Sequence, residues 1–101
     1  MSCAVNGHND HVEIKLSGEL TFSSYKEFQE VIKSATVSGK KACIINLEEL
    51  QSIDSAGIGM LLFANDETKQ TEIDLSLRSP QDPVKTVLER TKIDEVIPIV
   101  A

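Results

Sequence analysis

The chain has 101 residues, enough for one domain with a single core. Its formal net charge is −6, and its ten Lys and Arg residues are scattered. This balance argues against nucleic acid or an anionic membrane surface as a partner, because both require a basic patch. No apolar run reaches the ~20 residues of a membrane span. The first ten residues lack signal-peptide features, so we expect a cytoplasmic protein with reduced thiols at Cys3 and Cys43.

The N-terminal segments 3–5 and 12–16 alternate apolar and polar residues on either side of a polar stretch. This alternation predicts two half-buried antiparallel strands joined by a turn. His8 and His11 lie in or beside that turn, without cysteine or carboxylate at ligand spacing. We therefore expect solvated loop histidines and no metal site.

Residues 21–37 change to a helical period. Ser24 and Glu27 have the spacing of a capping box at the start of this helix. Three of the four aromatic residues cluster here, and we expect them to close the core: Phe22, Tyr25 and Phe28.

The central stretch 41–65 is the most informative part of the chain. Residues 42–47 form a short apolar run that predicts a central strand buried on both faces. The polar residues 48–52 are expected to turn the chain. The apolar segment that follows predicts a helix over residues 57–69.

Asp54 and Ser55 stand just before that helix, and both are N-cap residue types. If one of them caps the helix, the other side chain is free. A phosphate on a serine at a helix N-terminus is stabilised by the macrodipole and the unpaired amides, so Ser55 is a candidate phosphorylation site. Gly57 and Gly59 would allow another backbone or a large ligand to approach closely. A capped turn with no further role explains the same two polar residues.

The predicted helix carries apolar residues on two sides. A helix packed on one face of a sheet needs a single apolar stripe. The second surface is therefore covered by another helix or left for a partner, and we expect a partly exposed patch around Met60.

The rest of the chain continues the alternation of strand and helix. Residues 73–77 alternate strictly and predict a strand. Asp82 is expected to cap a helix with Pro83 at its first position. The apolar tail 96–100 predicts a last strand, which Pro98 restricts to a sheet edge or a strand end. The order β-β-α-β-α-β-α-β implies an α/β fold with a mixed sheet and right-handed parallel crossovers.

The segment IINLEELQSIDSAGIGMLL resembles the signature of STAS domains, in particular the stand-alone bacterial anti-sigma factor antagonists. The matching residues are Asn46, Leu47, Asp54, Ser55, Gly57, Ile58 and Gly59, with Gly18, Glu19 and Leu20 of a second family motif. The resemblance implies that residues 1–101 form a single STAS domain: a mixed, mostly parallel sheet of about five strands with three or more helices. The family often has aspartate after Gly-Glu-Leu, whereas this chain has Thr21. That departure puts an acidic contribution to recognition at this position in doubt.

The resemblance also implies a partner switch. The unphosphorylated form would bind an anti-sigma factor that is itself an HATPase-type serine kinase. Phosphorylation of Ser55 would break the complex, and a PP2C-type phosphatase would restore it. The residues expected to contact the partner are Thr21, Asp54, Ser55, Ala56, Gly57, Ile58, Gly59 and Met60. We expect no cofactor, and a monomer or weak dimer.

Catalysis and constitutive docking are the two alternatives to the switch. An enzyme would use Ser55 as nucleophile, but the only histidines are His8 and His11, and neither a G-x-S-x-G elbow nor a P-loop is present. A binding module is therefore expected. The leading alternative is a STAS domain that docks constitutively in a transporter or scaffold complex, without regulated phosphorylation.

Overall fold

Five strands form one sheet in the order of the sequence in the computed structural model, which describes residues 1–101. The elements are β1 (Ser2–Gly7), β2 (His11–Leu20), α1 (Tyr25–Thr36), β3 (Ala42–Ile53), α2 (Ser55–Gln70), β4 (Asp74–Arg78), α3 (Val84–Arg90) and β5 (Ile99–Val100), with 3₁₀ turns at Phe22–Ser24 and Ile93–Glu95. Only the β1–β2 pair is antiparallel. The predicted order and the mixed, mostly parallel sheet are confirmed. The structure contains no helix with the length and apolar character of a membrane span.

The core lies on one face of the sheet. Alternate residues of the three inner strands are buried and stand side by side, as in the row Ile14, Ile45 and Leu77. Buried side chains of the helices join the same cluster: Phe28, Ile32, Leu61, Ala64, Val84 and Leu88. The opposite face carries mainly polar side chains, with Ile44 among them, and there Glu13 accepts hydrogen bonds from Asn46 at 3.1 Å and Arg78 at 3.3 Å.

Strand β3 is longer than the sequence pattern predicts. Residues 48–52 were expected to turn the chain, but they continue the strand to Ile53. The reason is the neighbouring strand, since β2 also runs on and pairs Leu20 with Ile53. A register shift between Lys15 and Ser17 lets two consecutive glutamates point to solvent before Leu50 returns to the core.

The aromatic cluster at the start of α1 is only partly in the core. Phe28 is fully buried, but Phe22 is 79% exposed and Tyr25 is 47% exposed, so the prediction for these two residues was wrong. Ser24 explains the difference, because its hydroxyl donates to the Glu19 carbonyl at 3.0 Å. This bond draws Ser24 inward and turns its aromatic neighbours outward. The predicted capping box was also wrong, since the Ser24 side chain makes no cap hydrogen bond in α1.

The C-terminal third follows the prediction with a small shift. Helix α3 begins at Val84, with Pro83 as its N-cap instead of its first residue. The predicted cap Asp82 lies one residue before the N-cap, but its carboxylate still accepts the backbone N–H of Thr86 in the first turn at 3.2 Å. Strand β5 pairs only with Leu77 and Arg78 and forms a sheet edge, as Pro98 indicated.

Candidate functional site at the start of helix α2

Asp54 is the residue that caps α2. Its backbone is extended, and its carboxylate accepts a hydrogen bond from the Gly57 N–H at 2.8 Å. Its backbone N–H donates to the Leu20 carbonyl at 3.3 Å, which ties the helix start to the end of β2. The capping role predicted for one of the two polar residues therefore belongs to Asp54.

Ser55 is the first residue of α2, and its side chain is exposed. Its hydroxyl forms no hydrogen bond within the protein, unlike those of Ser24 and Thr68. A serine at this position stands beside the unpaired amides of the first helical turn. The structure thus leaves the hydroxyl free and accessible at the positive end of a 16-residue helix.

The two glycines of the first turn have different surroundings. Gly57 is buried, and a Cβ atom there would meet the Leu20 carbonyl and lie 2.6 Å from Cγ1 of Ile53. The close approach that Gly57 allows is therefore made by the protein's own β2 backbone. Gly59 is exposed, with nothing within 4 Å of the equivalent position, so its surface is open.

An apolar groove lies beside Ser55, between the first 3₁₀ turn and α2. Its volume is about 310 Å³, and it is lined by Phe22, Tyr25, Ala56, Gly59, Met60 and Phe63. This groove supplies the partly exposed patch that was expected around Met60, but the Met60 side chain itself is only 5% exposed. α2 packs against α1, which buries Met60 and Ala64 on this side of the helix. Phe22 and Tyr25 supply its exposed apolar area. We call the groove formed by these two residues and the four α2 residues the aromatic groove.

The residues predicted to contact a partner differ in accessibility. Asp54, Ser55 and Gly59 are exposed, Thr21, Ala56 and Ile58 are partly buried, and Gly57 and Met60 are buried. Thr21 follows Leu20, whose carbonyl binds the Asp54 amide, so the structure brings it to the helix start. Phe22 and Tyr25 were not among the predicted contact residues. Their aromatic character fits a core position equally well, and only the inward turn of Ser24 distinguishes the two cases.

The histidines are remote from this site. His8 and His11 stack at the β1–β2 turn with ring centroids 4.4 Å apart. β2 carries the chain from there to the helix start, and its ten residues span about 30 Å at ~3.3 Å per residue. No group of three or more His, Cys, Asp or Glu residues is placed to hold a metal ion.

Both cysteines are free thiols. Burial raises the pKa of the Cys43 thiol to about 11. Burial, together with the nearby Glu27 carboxylate, also raises the pKa of Cys3. Since the thiolate is the reactive form, neither residue is activated as a nucleophile.

The comparison with known families agrees with the observed fold. The family model for the STAS domain matches residues 2–101. The anti-sigma-B factor antagonist of Staphylococcus aureus (strain NCTC 8325 / PS 47) is 25% identical over 85 residues. This match covers 84% of the chain and 79% of the relative.

Solved structures share the fold. The anti-sigma factor antagonist SpoIIAA in its unphosphorylated form superposes with a TM-score of 0.82 at 22% identity, covering 99% of this chain and 89% of that chain. The phosphorylated form of this Bacillus cell fate determinant gives 0.74 at 22% identity, covering 99% and 92%. A sulfate transporter family protein from Wolinella succinogenes gives 0.76 at 16% identity, covering 87% and 74%. The same fold therefore occurs in an anti-sigma factor antagonist and in a sulfate transporter family protein.

Proposed function

The chain belongs to the STAS domain family, and we propose that it is an anti-sigma factor antagonist in which the Ser55 hydroxyl is the phosphorylation switch. The observation that carries the proposal is the division of roles at the start of α2. Asp54 caps the helix, while the neighbouring Ser55 hydroxyl is exposed and has no partner. A modification at Ser55 would therefore leave the capping hydrogen bond in place. The phosphorylated form known for SpoIIAA is consistent with this proposal.

The helix start would tolerate a phosphate in the free protein. A phosphoserine adds about −1.5 to −2 charges at neutral pH. At Ser55 these charges would lie next to the partial positive charge of the N-terminus of α2, which favours anions. The Asp54 carboxylate beside it opposes this effect, although it faces solvent and is screened. Refolding is not required for the modification.

The same phosphate would oppose the complex. The aromatic groove begins at Ala56, directly after Ser55, so a protein that fills the groove would also cover the serine. Docking would remove water from the phosphate, and desolvation of an unpaired dianion is strongly unfavourable. We therefore propose that the unphosphorylated chain binds an anti-sigma factor that is also an HATPase-type serine kinase. A PP2C-type phosphatase would reset the switch.

We propose a binding function in preference to catalysis at this serine. A nucleophilic serine needs a general base within hydrogen-bond distance. The only histidines lie at the opposite end of β2. The exposed Asp54 carboxylate is already occupied as the helix cap.

Phosphorylation of the purified chain tests the site directly. We expect the anti-sigma kinase and ATP to add one phosphate, measured by intact-mass spectrometry, and Ser55→Ala to abolish the addition. Ser23→Ala is the matched control, because Ser23 is also an exposed serine beside the aromatic groove. Phosphate incorporation that persists in Ser55→Ala would contradict the proposal.

Binding of the anti-sigma factor separates the switch from constitutive docking. If Ser55 is the switch, Ser55→Asp should weaken binding in isothermal titration calorimetry, and Ser55→Ala should retain it. Constitutive docking is a second candidate, because a sulfate transporter family protein shares the fold. It predicts equal affinity for both variants. Both substitutions are made at the same exposed residue, so a difference in their affinities reports the effect of the negative charge.

A further inference from the structure

The sheet has two edges, and only one of them is protected. β5 is two residues long and follows Pro98, which has no N–H to donate. β1 is six residues long with the sequence SCAVNG, which contains no charged residue and no proline. Natural proteins usually blunt an edge strand with charges, proline, bulges or short length. β1 has none of these features, and its register with β2 is continuous.

The hydrogen-bonding direction of β1 follows from its turn. The His8 N–H donates to the His11 carbonyl at 2.8 Å, so these two residues form a hydrogen-bonded pair. Such pairs alternate along an antiparallel ladder. The paired residues of β1 are therefore Asn6, Ala4 and Ser2, and the main-chain groups of Cys3, Val5 and Gly7 point away from the sheet.

We propose that this edge pairs with the same edge of a second copy of the chain, giving a symmetric dimer with a continuous ten-stranded sheet. A two-fold axis makes any such strand pairing antiparallel, which suits a self-complementary neutral strand. Val5 adds an apolar side chain that is 52% exposed on the core-side face. Charge also favours contact through β1. Two copies with a net charge of −6 repel each other wherever acidic surfaces meet, and β1 carries no charged side chain.

The register of the dimer is restricted to two arrangements. The outward groups belong to odd-numbered residues, so only registers that pair odd with odd satisfy them. Two of these keep most of the strand paired, with either Val5 facing Val5 or Ala4 facing Ala4 across the axis. The contact is small compared with the ~1,200 Å² or more of stable interfaces, so the dimer is weak and forms at high concentration.

The surface is separate from the proposed switch. β2 lies between β1 and β3, and α2 begins at the end of β3. Ser55→Asp should therefore leave dimerisation unchanged, whereas it should weaken partner binding if the switch proposal holds. Added salt should strengthen the dimer, because it screens the repulsion between two acidic copies without affecting uncharged main-chain bonds.

Proline substitution provides the decisive variant. Sedimentation equilibrium under reducing conditions, at concentrations up to millimolar, measures the dissociation constant of the dimer. The Val5 N–H points outward, so Val5→Pro removes an edge donor and keeps the β1–β2 ladder. Two donors are lost per dimer, and we expect the dissociation constant to rise at least about tenfold. Circular dichroism should show a retained fold. Wild-type chain that stays monomeric, or a Val5→Pro dimer of unchanged affinity, would overturn the proposal.

A charge pair of variants keeps the test valid if Val5→Pro does not fold. Val5→Lys places two like charges opposite each other in one register and diagonally across the axis in the other, and should also abolish the dimer. Val37→Lys makes the same change at a residue that is 83% exposed and lies just after α1, so it should retain the dimer. Equal effects of the two lysines would show association by general charge and would overturn the proposal.

Oxidative crosslinking identifies the register in a Cys3→Ala background. Facing residues in an antiparallel ladder have Cα atoms about 4.5–5.5 Å apart, within disulfide range. Ala4→Cys or Val5→Cys should therefore form a covalent dimer, and Val37→Cys should not. Crosslinking that is no faster at positions 4 and 5 than at 37 would contradict edge pairing.

Discussion

Replacing Gly57 with alanine tests how closely α2 is joined to the end of β2. A Cβ atom at this position would collide with the Leu20 carbonyl and lie 2.6 Å from Cγ1 of Ile53. The Leu20 carbonyl cannot move freely, because it accepts the N–H of the cap residue Asp54. Overpacking of this kind costs about 3 kcal/mol at the upper end of the usual range. Alanine recovers up to about 1 kcal/mol of helix propensity, which leaves a net loss of about 2 kcal/mol.

The matched control is Gly59→Ala, two residues further along the same helix. Nothing lies within 4 Å of its Cβ position, so only the gain in helix propensity applies. We expect Gly57→Ala to lower Tm by roughly 8–16 °C and Gly59→Ala to raise it by about 2–8 °C. Urea and thermal unfolding followed by circular dichroism measure both. If Gly57→Ala is as stable as Gly59→Ala, then the β2 end is free to move and the close-packing argument fails.

Three further predictions concern the site and the core. Asp54→Ala should lower the free energy of unfolding by about 1 kcal/mol, and Asp54→Asn should restore it in urea titrations. A phosphorylation rate that falls by more than about fivefold, the factor equivalent to 1 kcal/mol, would show that Asp54 also orients Ser55. Phe22→Ser should change stability by less than about 0.5 kcal/mol and weaken anti-sigma factor binding at least about tenfold, and unchanged calorimetric affinity would remove the aromatic groove from the interface. Burial raises the pKa of the Cys43 thiol in the folded chain to about 11, above the usual 9.0. Stability should therefore be complete below pH 9 and fall by about 2–3 kcal/mol as pH rises to 11, with a smaller slope in Cys43→Ala.

Much of the fold could be predicted because its signals are local. Strict alternation identified β2 and β4, and the run at residues 42–47 identified the buried part of β3. Asp54 at the helix start was one of two possible caps, and both residue types act through bonds within one turn. Such patterns require no knowledge of the neighbouring elements.

The errors concern features that neighbouring elements decide. Residues 48–52 are polar enough for a turn, but pairing with β2 keeps them in the strand. Phe22 and Tyr25 have the composition of a core cluster, but the hydrogen bond from Ser24 to Glu19 turns them to the surface. Met60 lies in the patch that was expected to be partly exposed but is itself buried, because the packing of α1 on α2 is not visible in a single helix. Long-range pairing and side-chain hydrogen bonds thus decided both the strand length and the shape of the groove.

The structure separates the residues that build the helix start from those that are free to bind. Gly57 and Asp54 fix the junction of β2, β3 and α2 through a close backbone contact and a cap. Ser55 and Phe22 contribute little to the fold, because one has no hydrogen-bond partner and the other is largely exposed. If Ser55 is the switch proposed above, its charge can change with little effect on stability, since its hydroxyl takes part in no hydrogen bond of the folded chain. The effect of phosphorylation is then expected almost entirely in the affinity for the partner.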